Sequence, residues 1–225
     1  MNRGDLAWAL GAVLPHVGTT KGQYVGMRAR GGWLYVYATD HYSAGVARIP
    51  LGAERAHLRN LYTDMSKSEA QDLMRFVRPT KKAHDDECLT VLVSGDNGDE
   101  LHVGTAEDSA VFDLATDTQP VTLDLLLGLI ERITNLPIET TGIIQQPSLP
   151  AKFAKAQRYE TDRLCLYPFT QCERPDRPSY GVAVVTVGKH FVGTVAGLTH
   201  EAPLDLSVIE SFLNEAKETR EARTL

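Results

Sequence analysis

GQYVGMRARGGWLYVYATDHYSAGVARIPL, residues 22–51, reads as three strands joined by two tight turns. Gln23 to Arg30 and Trp33 to Asp40 flank Gly31-Gly32, and a glycine pair supplies the positive φ angles that a two-residue hairpin turn demands. After Thr39-Asp40-His41, where the Asp40 carboxylate can bond the backbone ahead of it and set a turn, Tyr42 to Pro50 continues as a third strand. The stretch is an antiparallel meander and holds no catalytic signature. Asp40-His41 reads as a turn residue beside a loop histidine rather than as a dyad.

On either side of the meander the pattern becomes helical. Arg3 to Leu14 places Leu6, Leu10, Val13 and Leu14 at helical spacing, and Pro15 stops it. Downstream come a short strand near Leu58 to Thr63 and a helix from Ser66 to about Val77. There Ser66 and Glu69 have the spacing of a capping box, and Ala70, Leu73, Met74 and Val77 make the apolar stripe. Three further strands are predicted at Cys88 to Ser94, Glu100 to Thr105 and Ser109 to Ala115. The acidic turn between the first two, Gly95 to Asp99, lacks the alternating ligand spacing of a calcium loop and reads as a polar hairpin turn.

Thr116 to Pro120 breaks the pattern and marks a domain boundary. Thr122 then opens a strongly apolar helix that ends before Pro137 and is expected to be buried or to pack at an interface. The extended segment GIIQQPS leads into a helix, LPAKFAKAQRYE, with Pro150 in its first turn and Lys152, Lys155 and Arg158 at three-residue spacing on one face. Three strands follow again: Arg163 to Phe169, Tyr180 to Val187 and His190 to Leu198. The apolar run Tyr180 to Val187 is expected to lie centrally in a sheet. A final helix is predicted from Leu206 to about Arg220.

The order helix, strand, strand, strand thus occurs at Arg3 to Pro50, Ser66 to Ala115 and Leu149 to Leu198. With 225 residues, 43% of them hydrophobic, the chain is large enough for a substantial core. No apolar run reaches membrane-spanning length, and the first residues lack a signal-cleavage pattern, so a cytoplasmic location without membrane contact is expected. The spacings of Cys88, Cys165 and Cys172 suit neither zinc nor a redox pair. The seven histidines are scattered, no nucleophile sits in a recognisable elbow and no phosphate loop appears. The reading is a non-enzyme with no metal or cofactor.

Several stretches resemble a known family, the DNA polymerase sliding clamps, and in particular the bacterial polymerase III β clamp. LYVYATDHYSAGVARIPL (34–51) is similar to the family's strand, Thr-Asp turn and strand with Val-Ala near its end. Leu61 to Leu114 matches an extended segment, helix and three strands, and YGVAVVTVGKHFVGTVAGL (180–198) is similar to the final hairpin. The resemblance implies an α+β, DNA-clamp-like fold of repeated helix plus three-stranded antiparallel sheet units, with the sheets as outer scaffold and the helices facing DNA. Residues 1–117 would form one domain of two units, 118–200 a second, reduced domain, and 201–225 an extra C-terminal helix. The bacterial clamp has three domains per subunit, so a shortened chain of this kind suits a bacteriophage or a specialised paralogue.

A clamp tracks DNA through its backbone, which needs long cations on the channel helices and is compatible with a net charge of -6. The candidates are Arg75, Arg78, Lys81 and Lys82, then Lys152, Lys155 and Arg158, then Arg132 and Lys21. The implied partners are double-stranded DNA, a DNA polymerase or clamp loader held in a groove near Val192, Val195 and Leu198, and further copies of the chain. The function so implied is a polymerase processivity or DNA-tethering factor acting without catalysis. The competing reading is a clamp-fold protein-binding adaptor or structural dimer that never encircles DNA.

Overall fold

The computed structural model describes residues 1–18, 23–52, 58, 61–79, 87–95, 98–115, 122–138, 143–144, 148–170 and 180–199. The interdomain boundary at 116–120, the C-terminal helix predicted after residue 200, Cys172, and the candidate cations Lys21, Lys81 and Lys82 lie outside these residues.

The first unit is α1 (Arg3–Val13), a 3₁₀ turn at Leu14–His16, and β1 (Val25–Arg30), β2 (Trp33–Thr39) and β3 (Ser43–Pro50). Gly31 and Gly32 take φ values of 60° and 84°, the left-handed pair the hairpin requires. The second unit is β4 (Tyr62–Met65), α2 (Lys67–Val77), β5 (Thr90–Ser94), β6 (Glu100–Gly104) and β7 (Ser109–Asp113). Ser66 caps α2 by accepting from the Glu69 N–H at 3.2 Å. Next, α3 (Leu123–Thr134) is capped by Thr122. The third unit is β8 (Ile143–Ile144), α4 (Ser148–Ala151) with a 3₁₀ helix at Lys152–Ala156, then β9 (Leu164–Thr170), β10 (Tyr180–Val187) and β11 (Phe191–Thr199). No helix among the described residues is long and apolar enough to cross a membrane.

The first two units exchange their leading segments. β4 of the second unit pairs with β1 of the first. In return Asn2, ahead of α1, bridges Cys88, with the Leu89 N–H bonded to Met1 O and the Arg3 N–H to Glu87 O, each at 2.8 Å. Arg3 then serves the end of α2: its guanidinium donates to Phe76 O at 2.8 Å and Val77 O at 3.2 Å and pairs with Glu87. These carbonyls have no partner within their own helix, so the arginine joins the two units by satisfying a helix end.

The large sheet does not stop at the sequence boundary. Its order is β4-β1-β2-β3-β11-β10-β9, so β3 of the first unit pairs directly with β11 of the third, while β5-β6-β7 form a separate three-stranded sheet. At the seam Gly45 lies opposite Gly193. A side chain at Gly45 would meet His16 Cδ2 at 2.7 Å and Phe191 Cζ at 2.9 Å, and one at Gly193 would meet Phe153 Cε1 at 2.7 Å. The paired glycines therefore let the two 3₁₀ turns rest their rings on bare backbone.

Strand alternation sends Met27, Leu34, Val36, Ile49, Val185 and Val195 to one face. There they pack with Leu6, Leu10 and Val13 of α1, Leu73 and Val77 of α2, and Phe153 and Ala156 of the last 3₁₀ helix. Tyr37, Val46, Val182 and Val184 point the other way, onto Leu123, Leu126 and Ile133 of α3. The apolar helix α3 thus packs on the far face of the sheet. One expectation is corrected by this arrangement. The basic helix predicted at 149–160 is instead a single α turn continued as 3₁₀. With about three residues per 3₁₀ turn, Phe153 and Ala156 fall on one side, and both are buried there.

Candidate nucleic-acid interface

The helix layer is where the predicted cations can converge. Its middle member, α1, has Leu6 and Leu10 turned to the core and Gly4, Ala7 and Gly11 on the opposite side, so its outward surface is shallow. The residues Asn2, Gly4, Asp5, Ala7, Trp8, Gly11, Met74, Arg78, Pro79, Lys155, Arg158 and Tyr159 line a groove of about 710 Å³ between α1, α2 and the end of the 3₁₀ helix. Arg78 and Lys155 stand exposed on its walls, and neither forms an ion pair among the described residues. Arg75 is exposed one turn earlier on α2 and pairs with Asp72 of the same helix.

Arg158 has a different task. Its guanidinium pairs with Asp5 and lies 5.2 Å from the centre of the Trp8 ring and 5.0 Å from that of Tyr159. It is a cation between two aromatic rings, neutralised by a carboxylate. Trp8 is fixed further by its indole N–H, which donates to Ala156 O at 3.1 Å.

Lys152 points away from the groove. It pairs with Asp40 and donates to Ser43 Oγ at 3.2 Å, while His16 Nδ1 lies 3.1 Å from the same hydroxyl. The Ser43 hydroxyl donates to Asp40 at 3.0 Å, so it accepts from both Lys152 and the His16 Nδ1–H. Burial drives the His16 pKa down to about 4, helped by the Lys152 charge and opposed by Asp40. Burial pushes the Asp40 carboxyl up, but hydrogen bonds from Lys152 and Ser43 outweigh it and hold the group below its ordinary value. Asp40 also accepts the backbone N–H groups of Tyr42 and Ser43, as the turn reading requires. The cluster contains Ser, His and Asp, yet Ser43 and His16 are sealed in the interior. It fastens the third unit to the first. Lys152 is therefore spent inside the fold and is removed from the exposed set.

Arg132 is exposed on α3, across the sheet from the groove. The three predicted groove residues on β11 separate for a geometric reason. Side chains alternate along a strand, so positions three apart face opposite sides. Val195 is wholly buried in the core beneath α1. Val192 faces α3 and lines a second groove of about 350 Å³ with Tyr35, Arg48, Leu127 and His190. Leu198 pairs with Tyr180 and Ile144 through its backbone.

Trp8 and Tyr159 were absent from the sequence expectation. The small-residue spacing Gly4, Ala7, Gly11 leaves room beside Trp8, the one tryptophan of α1, and no local pattern marks Tyr159. Cys88 and Cys165 carry free thiols, and no cluster of metal-binding side chains occurs among the described residues.

No protein-family model matches the chain, and no curated protein sequence does. Solved structures do. A candidate DNA polymerase III beta subunit from Eubacterium rectale superposes with a TM-score of 0.56 at 9% identity, over 88% of this chain and 64% of its own. The DNA polymerase III subunit beta of Pseudomonas aeruginosa gives 0.51 at 13% identity, over 91% and 65%. The beta clamp of Helicobacter pylori, solved with a DNA ligase peptide, gives 0.50 at 10%, over 92% and 68%. The chain thus spans just under two thirds of the length of the first two.

Proposed function

We propose that this chain, which has the fold of the DNA polymerase III β subunits, is a clamp-like factor that tethers a DNA polymerase to double-stranded DNA without catalysing a reaction. The observation that carries the reading is the cationic side of the helix layer. Arg78, just past the end of α2, and Lys155, beyond α4, flank the shallow surface of α1, with Arg75 exposed one turn earlier on α2, on a chain whose net charge is -6. Cations on one face of an acidic molecule attract the phosphate backbone there, and the acidic remainder repels it elsewhere. Contacts to phosphates alone, direct or through water, hold a duplex without reading its sequence and so permit sliding.

A homo-oligomer that encircles the duplex belongs to this reading. The groove beside Val192 is its place for an apolar peptide of a polymerase or loader. The cytoplasm is its setting, and a bacteriophage its expected source. Arg132, on the far face of the sheet, is not part of the channel surface in this scheme.

Retention on nicked circular DNA tests the proposal. The chain should co-elute with circles at moderate salt and be released when they are linearised, and Arg78→Glu combined with Lys155→Glu should abolish retention. A monomer that binds neither form would overturn it. The adaptor reading draws on one observation: Lys152 and Arg158 are consumed by Asp40 and Asp5, leaving few open cations. It predicts peptide binding at the Val192 groove with no retention on any DNA.

A further inference from the structure

The groove beside α1 contains more than charge. Its floor is Gly4, Ala7 and Gly11, which let a flat group approach the helix closely, and its walls carry Trp8, Met74 and Tyr159 together with Arg78 and Lys155. Tyr159 is 51% exposed although its ring is held by Arg158 at 5.0 Å and its backbone N–H by Asp162 Oδ2 at 3.0 Å. An exposed aromatic ring so fixed loses little freedom when something stacks on it. The Arg158 charge is already balanced by Asp5, whereas Arg78 and Lys155 have no such partner among the described residues.

A duplex cannot use the ring, because its bases are stacked on one another and it offers a protein surface mainly phosphates and sugars. A peptide of acidic residues alone would satisfy the two cations and leave the ring idle. A single strand satisfies both, with an unpaired base on the aromatic face and phosphates on the flanking cations. We propose that the groove between α1 and α2 binds single-stranded nucleic acid, stacking a base on Tyr159 with its phosphates on Arg78 and Lys155. The proposal deepens the DNA-tethering reading and rests on it: the same face that holds duplex backbone would hold the unpaired strand at a primer junction.

Fluorescence anisotropy of the full chain with labelled oligothymidylate, and with a duplex of equal length, tests this at low salt. Oligothymidylate should bind more tightly than the duplex. Tyr159→Ala should weaken single-strand binding about tenfold and leave duplex binding unchanged, and Tyr159→Phe should retain wild-type affinity. Arg78→Glu should weaken both. An unchanged single-strand affinity in Tyr159→Ala overturns the proposal, as does polyglutamate competing as well as unlabelled oligothymidylate. If wild type is still retained on nicked circles in that event, only the single-strand site falls. If retention and oligothymidylate binding are both absent, the tethering reading falls with it.

Discussion

The two faces of the large sheet bury polar groups in opposite ways. Under the helix layer, His16, Ser43, Asp40 and Lys152 form a chain in which the hydroxyl and the carboxylate are bonded from several sides, although the buried His16 Nε2 has no hydrogen-bond partner among the described residues. Beneath α3, Asp64 is 6% exposed, and the nearby Tyr37 hydroxyl has no hydrogen-bond partner among the described residues. Burial raises the Asp64 pKa to about 6, and burial with the Asp64 charge raises that of Tyr37. One face uses polarity to fasten two distant segments. The other tolerates polarity where a helix lies over a pre-existing sheet. The difference teaches that the seam between the first and third units is specified by bonds, while α3 is held mainly by apolar contact.

Breaking the fastened side should have the largest effect. Lys152→Met leaves Asp40 without its cation and should cost about 3 kcal/mol in urea unfolding at neutral pH. His16 gives the same face a pH dependence of known sign. Above pH 6.5 the ring is neutral folded and unfolded; as pH falls toward 4, only the unfolded chain gains the proton. The stability lost across that interval should be on the order of 3 kcal/mol, and a His16→Gln variant should lose this slope.

On the α3 face the sign reverses. Asp64 has a folded pKa raised above its ordinary 3.8 to about 6, so its contribution is present below pH 4 and is lost as pH rises through 6. Asp64→Asn should therefore stabilise the protein at pH 8 by about 1–2 kcal/mol after allowance for solvent screening, and change little at pH 4. Equal gains at both pH values would show that the carboxylate does not titrate in this interval. The smallest effect belongs to Asp124, which pairs with Arg28 and Arg30, each at 2.8 Å, on the partly exposed margin of α3. Asp124→Asn should lower stability by less than about 1 kcal/mol, and high salt should erase the difference.

Local chemistry made the elements legible in the sequence. Gly31-Gly32, the Ser66 and Thr122 caps and the apolar run of residues 180–187 are signals contained within a few positions, and the corresponding turn, helix starts and strand form where expected. The repeated units are legible for the same reason. The side of the sheet taken by α3 was not, because a helix with apolar residues around much of its circumference does not say which surface it covers. The candidate site was read only in part. Arg78 and Lys155 are exposed beside the groove, but a positively charged residue carries no local mark of its partner. Lys152 meets an aspartate 112 positions away, and Arg158 meets one 153 positions away. Val192 and Val195 share the strand to which the clamp resemblance assigns a groove, but strand parity sends them to opposite faces.

The seam of β3 and β11 also has a consequence in time. Ser43 pairs with Val195 and Ala47 with Phe191, so the outer edge of the opening meander has no strand to receive until almost all of the described chain has been synthesised. Contacts this distant in sequence form late and slow the overall reaction. Until then the emerging polypeptide carries an unpaired edge lined by Ala44, Val46 and Ile49, a template for association with another nascent chain. Expression yield is thus expected to depend on how soon the third unit follows the first out of the ribosome.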